Sequence, residues 1–254
     1  MSSDSTQRFS DRVEHYVRSR PSYPLALFDF LRQTLGLVPG WVVADIGSGT
    51  GISARPFLEN GNVLYGIEPN APMREAAERL LGSYLNFHSV DGTAEATSLS
   101  NDSVDLIVAA QAFHWFDPVR ARAEFVRVLK PGGYVALIWN DRRQDSTPFL
   151  RAYEQLLQNY GTDYNQVRHE NIDAAVIEKF FAPAKCQVRT FLNSQQFDYA
   201  GLEARLLSSS YTPAADDPVR PLMLAELRRI FAANQRDGSV EFEYDTRVYF
   251  GHLT

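Results

Sequence analysis

The stretch Trp41-Val42-Val43-Ala44-Asp45-Ile46-Gly47-Ser48-Gly49-Thr50-Gly51 reads as a short buried strand that runs straight into a glycine-rich loop. A strand feeding such a loop ahead of a helix belongs to a parallel α/β sheet, and open sheets of this kind bind ligands at the carboxyl ends of their strands. The loop therefore marks the expected site. Its spacing, Asp45-x-Gly47-x-Gly49-x-Gly51, departs from the nicotinamide fingerprint, which needs its third glycine where Ile52 stands. A dehydrogenase is disfavoured on that ground.

Strands and helices alternate on either side of the loop. A helix from Leu25 to Leu35, stopped by Gly36, precedes it; Val63-Leu64-Tyr65-Gly66-Ile67 follows as a second strand, Pro72 to Leu81 as a helix and Asn86 to Val90 as a third strand. Val104 to Ala110 is a fourth strand, Val119 to Leu129 a helix, and Tyr134 to Trp139 a fifth strand after a Pro131-Gly132-Gly133 turn. The alternation predicts a doubly wound, mostly parallel sheet. Beyond Asn140 longer helical stretches appear, Pro148 to Tyr160, Asn171 to Phe181, Tyr199 to Ser208 and Pro218 to Asn234. Two further strands, Cys186 to Phe197 and Val240 to Phe250, complete a seven-stranded sheet, with the extra helices as a cap over its edge.

Bulk properties narrow the function. At 254 residues the chain suits one domain, since single cores stop growing near ~250–300 residues. Hydrophobic residues at 44% and charged residues at 22% exclude disordered and collagen-like classes. A formal charge of -6 without a run of Lys or Arg argues against nucleic acid as partner and favours a small molecule. The polar start from Met1 to Arg12 carries no signal-peptide core, and no apolar run is long enough for a membrane span. Cys186 is the only cysteine, so neither an intramolecular disulfide nor a zinc cluster is expected and no metal site is predicted; a reducing, cytoplasmic setting follows.

Glu68 follows the second strand about 20 residues after the loop, where a carboxylate can accept hydrogen bonds from both hydroxyls of a ribose. Pro69 and Met73 then offer apolar contact beside a base. At this point the chain resembles the class I S-adenosylmethionine-dependent methyltransferases, and among them the small-molecule group that includes the trans-aconitate methyltransferases. The resemblance rests on Val43 to Gly51, on Gly66-Ile67-Glu68-Pro69-Asn70, Gly92-Thr93-Ala94-Glu95 and Val104-Asp105-Leu106-Ile107-Val108. It extends through Gln111-Ala112-Phe113-His114-Trp115-Phe116, Leu129-Lys130-Pro131-Gly132-Gly133 and the leading segment with Tyr16, Arg20-Pro21 and Tyr23-Pro24.

The resemblance implies a Rossmann-like methyltransferase fold over residues 1–254, with a cofactor-binding core in 1–140 and a cap with the last strands in 141–254. It also implies S-adenosyl-L-methionine as cofactor, a small-molecule acceptor, and a monomer or homodimer. Asp45, Gly47, Ser48 and Gly49 would lie by the methionine part, Glu68 would hold the ribose, and Thr93 and Ala94 would reach the adenine edge. Gln111 would stand near the sulfonium, and Arg20 or Tyr16 would close over the carboxylate. Where many relatives carry Asp before that alanine this chain has Thr93, so the adenine amino contact falls to its hydroxyl, to Asp91 or to backbone.

Transfer from a sulfonium needs chiefly alignment and exclusion of water, and a carboxylate acceptor, ionised at pH 7, needs no base. His114 is the one candidate base; the alternative is a packed structural histidine. Trp115 and Trp139 are candidate acceptor-pocket walls, against plain packing, and Arg142, followed by Arg143, is a candidate partner for an anionic acceptor, against a solvated surface role. Rival functions are carbon or nitrogen methylation of a quinone-like or natural-product acceptor, and a non-catalytic cofactor-binding regulator.

Overall fold

The computed structural model describes residues 20–162, 164, 174–209 and 211–253. Helix α1 (Leu25–Phe30) continues as a wider π-helical turn, Leu31–Leu35, and ends at Gly36 in the left-handed region. Then come β1 (Val42–Ile46), the short α2 (Arg55–Glu59), β2 (Val63–Ile67), α3 (Ala71–Leu81), β3 (Phe87–Val90) and β4 (Val104–Ala110). A 3-10 turn over Phe113–Trp115 leads to α4 (Pro118–Val128) and the long β5 (Leu129–Arg142). The remainder comprises α5 (Pro148–Tyr160), α6 (Ala174–Phe181), β6 (Gln187–Phe197), α7 (Tyr199–Leu207), α8 (Val219–Asn234) and β7 (Val240–Gly251).

The seven strands form one sheet in the order β3-β2-β1-β4-β5-β7-β6, with β7 antiparallel to both β5 and β6 and the other pairs parallel. The chain leaves β1 toward β2 and β3 on one side, then returns to β4 and β5 on the other. The strand order thus reverses between β1 and β4, and the crevice at their carboxyl ends is the natural ligand position.

Strand alternation decides what each face buries. In β1, Val43 points to one side with Leu106 and Val108 of β4, where α1, α2 and Leu81 of α3 cover it. Ala44 and Ile46 point to the other, with Ile107, Val135, Leu137 and Trp139, beneath α4 and α6. Helix α4 starts cleanly because the Asp117 carboxylate accepts from the backbone amides of Val119 and Arg120. Arg122 on the same helix donates to the carbonyls of Phe180, Ala182 and Leu253, pinning α6 and the last residues to the core.

One strand differs in length from the sequence expectation. The fifth strand runs on through Asp141 and Arg142 because β7 pairs with it there, Asp141 with Asp245 and Arg142 with Tyr244. A register shift between Val104 and Leu106 absorbs the Pro-Gly-Gly turn at its start. Partner strands, which the local sequence does not reveal, set this extension.

The cap shares its floor with the sheet. On one face of β7, Phe250 and Val248 pack on the core, whereas Tyr244 and Phe242 further back meet α5, α7 and α8 through Phe149, Tyr153, Leu202, Leu206, Met223 and Leu227. Among the described residues no helix is long and apolar enough to cross a membrane. Phe242, fully buried and edge-on to Phe149, Tyr153 and Phe197, is the keystone of this second core. Phe242→Ala is expected to lower unfolding free energy by about 3–5 kcal/mol in urea titration; a loss under about 1 kcal/mol would show that the cap packs without it.

Candidate active site

The glycine loop is shaped by two local demands. Gly47 has φ +69°, and a Cβ on it would lie 2.6 Å from the Cβ of Ala112, so the loops after β1 and β4 meet where only a hydrogen fits. Gly49 has φ +54° with open space where its Cβ would be, which leaves the loop's backbone exposed toward the crevice. The amides of Gly47 and Ser48 both donate to Ile67 O, tying the loop to the end of β2.

Glu68 joins the two loops. One carboxylate oxygen accepts from the Gly49 amide and the other from the Asn70 amide, each at 2.9 Å, and the Arg74 guanidinium caps the Glu68 carbonyl at 2.8 Å. Each oxygen keeps a further lone pair for a ligand hydroxyl. Burial pushes the Glu68 carboxyl above its usual pKa, against the two amide hydrogen bonds and the charge of Arg74.

Asp45 lies under the loop and does not border the crevice. It is fully buried; its Oδ2 accepts from Ser53 Oγ at 2.6 Å and its Oδ1 has no hydrogen-bond partner. Burial raises its pKa to about 7, the Ser53 hydrogen bond offsets part of that, and the nearby Glu68 charge adds to it.

A cavity of about 460 Å³ opens at this crevice. Arg20, Gly47, Ser48, Gly49, Glu68, Pro69, Met73, Thr93, Ala94, Gln111, His114, Trp115 and Arg142 all border it, so the structure brings together nearly every residue that the sequence singled out. Thr93 and Ala94 sit in a tight bridge in which the Thr93 and Ala96 backbones exchange hydrogen bonds, with Ala94 buried. Gln111 adopts φ +55°, a strained conformation for a side-chain-bearing residue of the kind that gathers at functional sites. Its amide donates to Ile138 O and its Nε2 to Asn140 O. His114 stacks obliquely on Trp115, ring centres 4.7 Å apart.

Asn140 clamps the leading segment to this mouth. It donates to Ser22 O at 3.3 Å and accepts from Thr246 Oγ1 and Asn193 Nδ2, while Asn193 also donates to Ser22 O. Arg20 and Tyr23, on either side of Ser22, thereby reach the cavity. Tyr16 lies outside the described residues.

Trp139 does not reach the cavity. Strand alternation turns it to the opposite face, where its ring meets Phe113 and Tyr249 edge-on and is 3% exposed. Arg142 does reach it, but Nη2 is already paired with Glu154 and with the Tyr164 hydroxyl, and its guanidinium lies 5.3 Å from the Tyr153 ring centre. Arg143 points away and pairs with Asp245 and Glu243. Sequence reasoning missed the cap's contribution: Arg205, Ser209, Tyr211 and Tyr244 border the same cavity. One signal was there, since Leu202-x-x-Arg205-Leu206 places an arginine within the apolar stripe of α7. Among the described residues no cluster of His, Cys, Asp and Glu could hold a metal.

Comparisons with known proteins agree with this geometry. Residues 44–137 match the family model for the methyltransferase domain. An uncharacterized methyltransferase of Mycobacterium tuberculosis is 30% identical over 233 residues, 91% of this chain and 88% of that protein. Among solved structures, a protein described as a type II methyltransferase from Anaeromyxobacter dehalogenans superposes with TM-score 0.63 at 20% identity, covering 92% of this chain and 98% of its own. A methyltransferase from an antibiotic biosynthesis pathway of Anabaena variabilis gives TM-score 0.65 at 19% identity, covering 93% and 99%. The chain belongs to the methyltransferase family, as an S-adenosylmethionine-dependent enzyme with the Rossmann-like fold of that class.

The raised carboxyls give a testable pH dependence. Both Asp45 and Glu68 have folded pKa values above their unfolded ones, so the unfolded chain binds fewer protons between about pH 4 and 7 and stability falls as pH rises through that window. Urea unfolding followed from pH 5 to pH 7.5 is expected to show this decline, and Asp45→Asn, which retains an acceptor for Ser53, to flatten it. An unchanged slope in the variant would assign the decline to other groups.

Proposed function

We propose that the crevice between the β1 and β4 loops holds S-adenosylmethionine and that the chain methylates a small metabolite enclosed by the cap, with a carboxylate oxygen of an organic acid as the leading acceptor. The observation that carries this reading is that one cavity is bordered both by the glycine loop and Glu68 and by the cap residues Arg205, Tyr211 and Tyr244. A volume of about 460 Å³ falls within the range of small-molecule sites, ~300–1,000 Å³. The cofactor would supply a methyl group on a sulfonium, already activated for transfer. What this chain's residues then contribute is position and dryness.

In this reading the open backbone at Gly49 and the spare lone pairs of Glu68 receive the ribose and its neighbouring chain. Met73 and Pro69 supply apolar contact to the base, and the Thr93-Ala94 bridge supplies its polar edge. Asp45 acts from below, holding Ser53 and the loop. Gln111, fixed in its strained conformation by Ile138 and Asn140, frames the place where acceptor and cofactor meet. A carboxylate acceptor needs no base here. The second reading, carbon or nitrogen methylation, is favoured by one observation: His114 borders the cavity and is the only histidine to do so among the described residues.

Calorimetric titration with S-adenosylhomocysteine, with NAD as control, tests the cofactor assignment. Saturable binding of the former alone is expected, weakened at least about ten-fold by Glu68→Ala through loss of two hydrogen bonds to a charged group. No binding to folded wild-type protein would overturn it. With an acceptor in hand, His114→Gln separates the two chemistries. A pH-independent rate near pH 7 in both proteins fits carboxylate methylation, whereas a rise through a pKa near ~6–7 that the variant abolishes fits base-assisted transfer.

A further inference from the structure

Among the described residues Arg205 is a buried cation with no counter-charge. It stands on α7 with 9% of its surface exposed, its Cζ is 5.7 Å from the centre of the Phe242 ring, and Tyr244 lies close by. Its Nε is buried and has no hydrogen-bond partner, and no carboxylate among the described residues pairs with it. A guanidinium cannot shed its proton to relieve this. A buried charge left in that condition is strongly unfavourable unless something else neutralises it.

The same end of the cavity holds a second arginine with spare capacity. Arg142 is matched by Glu154 through Nη2, but its Nη1 is buried and unpartnered. Among the described residues at the cap end, Arg142 is matched by Glu154 and Arg205 by no carboxylate, which leaves one positive charge unbalanced there. The hydroxyls of Tyr211 and Tyr244 border the same space.

We propose that Arg205, assisted by Arg142 Nη1, anchors a single carboxylate of the acceptor, and that this carboxylate is a handle and not the group that is methylated. This rests on the methyl-transfer reading above. One unbalanced positive charge matches one negative charge, and the planar fork of a guanidinium fits a carboxylate in two parallel hydrogen bonds. A phosphate dianion would bring a second charge with no counterpart.

Strand register separates handle from reaction. Gln111 hydrogen-bonds Asn140 O, and Asn140 pairs with Thr246 across the β5-β7 ladder; Tyr244, which Arg205 contacts, pairs with Arg142 two residues further along. At ~3.3 Å per residue the two levels lie about 7 Å apart along the strands. An acceptor seated on Arg205 thus presents to Gln111 and His114 a group several bonds away from the anchored carboxylate. Monocarboxylates with one carbon or two are too short, and the reacting group must be carried on a longer scaffold.

The test uses the whole chain saturated with S-adenosylhomocysteine, titrated with pentanoate, benzoate and inorganic phosphate at fixed ionic strength, and followed by calorimetry and thermal unfolding. Pentanoate or benzoate is expected to bind saturably and raise Tm, with phosphate at least ten-fold weaker. Arg205→Met is expected to weaken the carboxylate at least ten-fold, to leave S-adenosylhomocysteine affinity within two-fold, and to unfold no earlier than wild type when no carboxylate is present, because it removes an unbalanced buried charge.

Three results would overturn the proposal. If Arg205→Met weakens S-adenosylhomocysteine ten-fold, the arginine serves the cofactor's own carboxylate. If phosphate binds as tightly as the carboxylates, the site is not built for a monoanion. If neither carboxylate binds wild type and the variant loses stability, Arg205 is a structural residue held by its tyrosines. Failure of S-adenosylhomocysteine to bind wild type would instead strike the cofactor assignment itself, and benzoate binding by the free chain would then still report on Arg205.

Discussion

The candidate site depends on one carboxylate that has left water to hold two loops together. Glu68 accepts from the Gly49 amide on one oxygen and the Asn70 amide on the other, so the turns after β1 and β2 cannot shift independently. Such a carboxylate costs desolvation energy, visible in its raised pKa, and charge-assisted bonds to backbone amides offset part of that cost. Around this clamp the rest follows: Gly47 presses the loop against Ala112 with no room for a side chain, and Asp45 and Ser53 lock its underside. The outcome is a backbone held open toward a crevice before any ligand arrives, the preorganisation that a methyl transfer governed by alignment demands.

Most of the sheet was legible because parallel central strands are buried on both faces and read as continuous apolar runs. Val42–Ile46, Val63–Ile67 and Val104–Ala110 stand almost where their composition placed them. What local sequence could not supply was partnership. The extension of β5 to Arg142 comes from pairing with β7, about a hundred residues later in the chain. The widened last turn after α1 is likewise fixed by burial of Leu31 and Leu35 against the sheet, a tertiary effect with no local signature.

The site divides the same way. Residues contributed by loops at strand ends, such as Glu68, Thr93, Ala94 and Gln111, could be located because topology alone assigns strand ends to one edge of the sheet. Trp139 shows where that reasoning stops: a residue near a strand end points to one face or the other by parity, and parity turned it from the cavity toward Phe113 and Tyr249. Arg142 shows another limit, because nothing local to it reveals that Glu154, on the next helix, already answers its charge. Residues on cap helices need a register against the sheet, which only the packing of Tyr153, Phe242 and Leu206 establishes.

Charge bookkeeping then ties the cap to the chemistry. Around the sheet most ionic groups are paired, Asp105 with Lys130, Glu124 with Arg127 and Asp245 with Arg143, and the buried Asp45 beneath the glycine loop is held by Ser53. An apolar helix face that carries Arg205 with no carboxylate opposite among the described residues breaks this pattern at a point bordering the crevice. Replacing a buried charge by an apolar residue is often neutral or stabilising, so stability alone gives no reason to retain one here. Proteins tolerate such conflicts at sites where a ligand completes the local balance. In the proposed reading the sheet edge fixes where a common cofactor lies, while the cap, built from the later and less periodic part of the chain, would carry the residues through which one member of a large family selects its own acceptor.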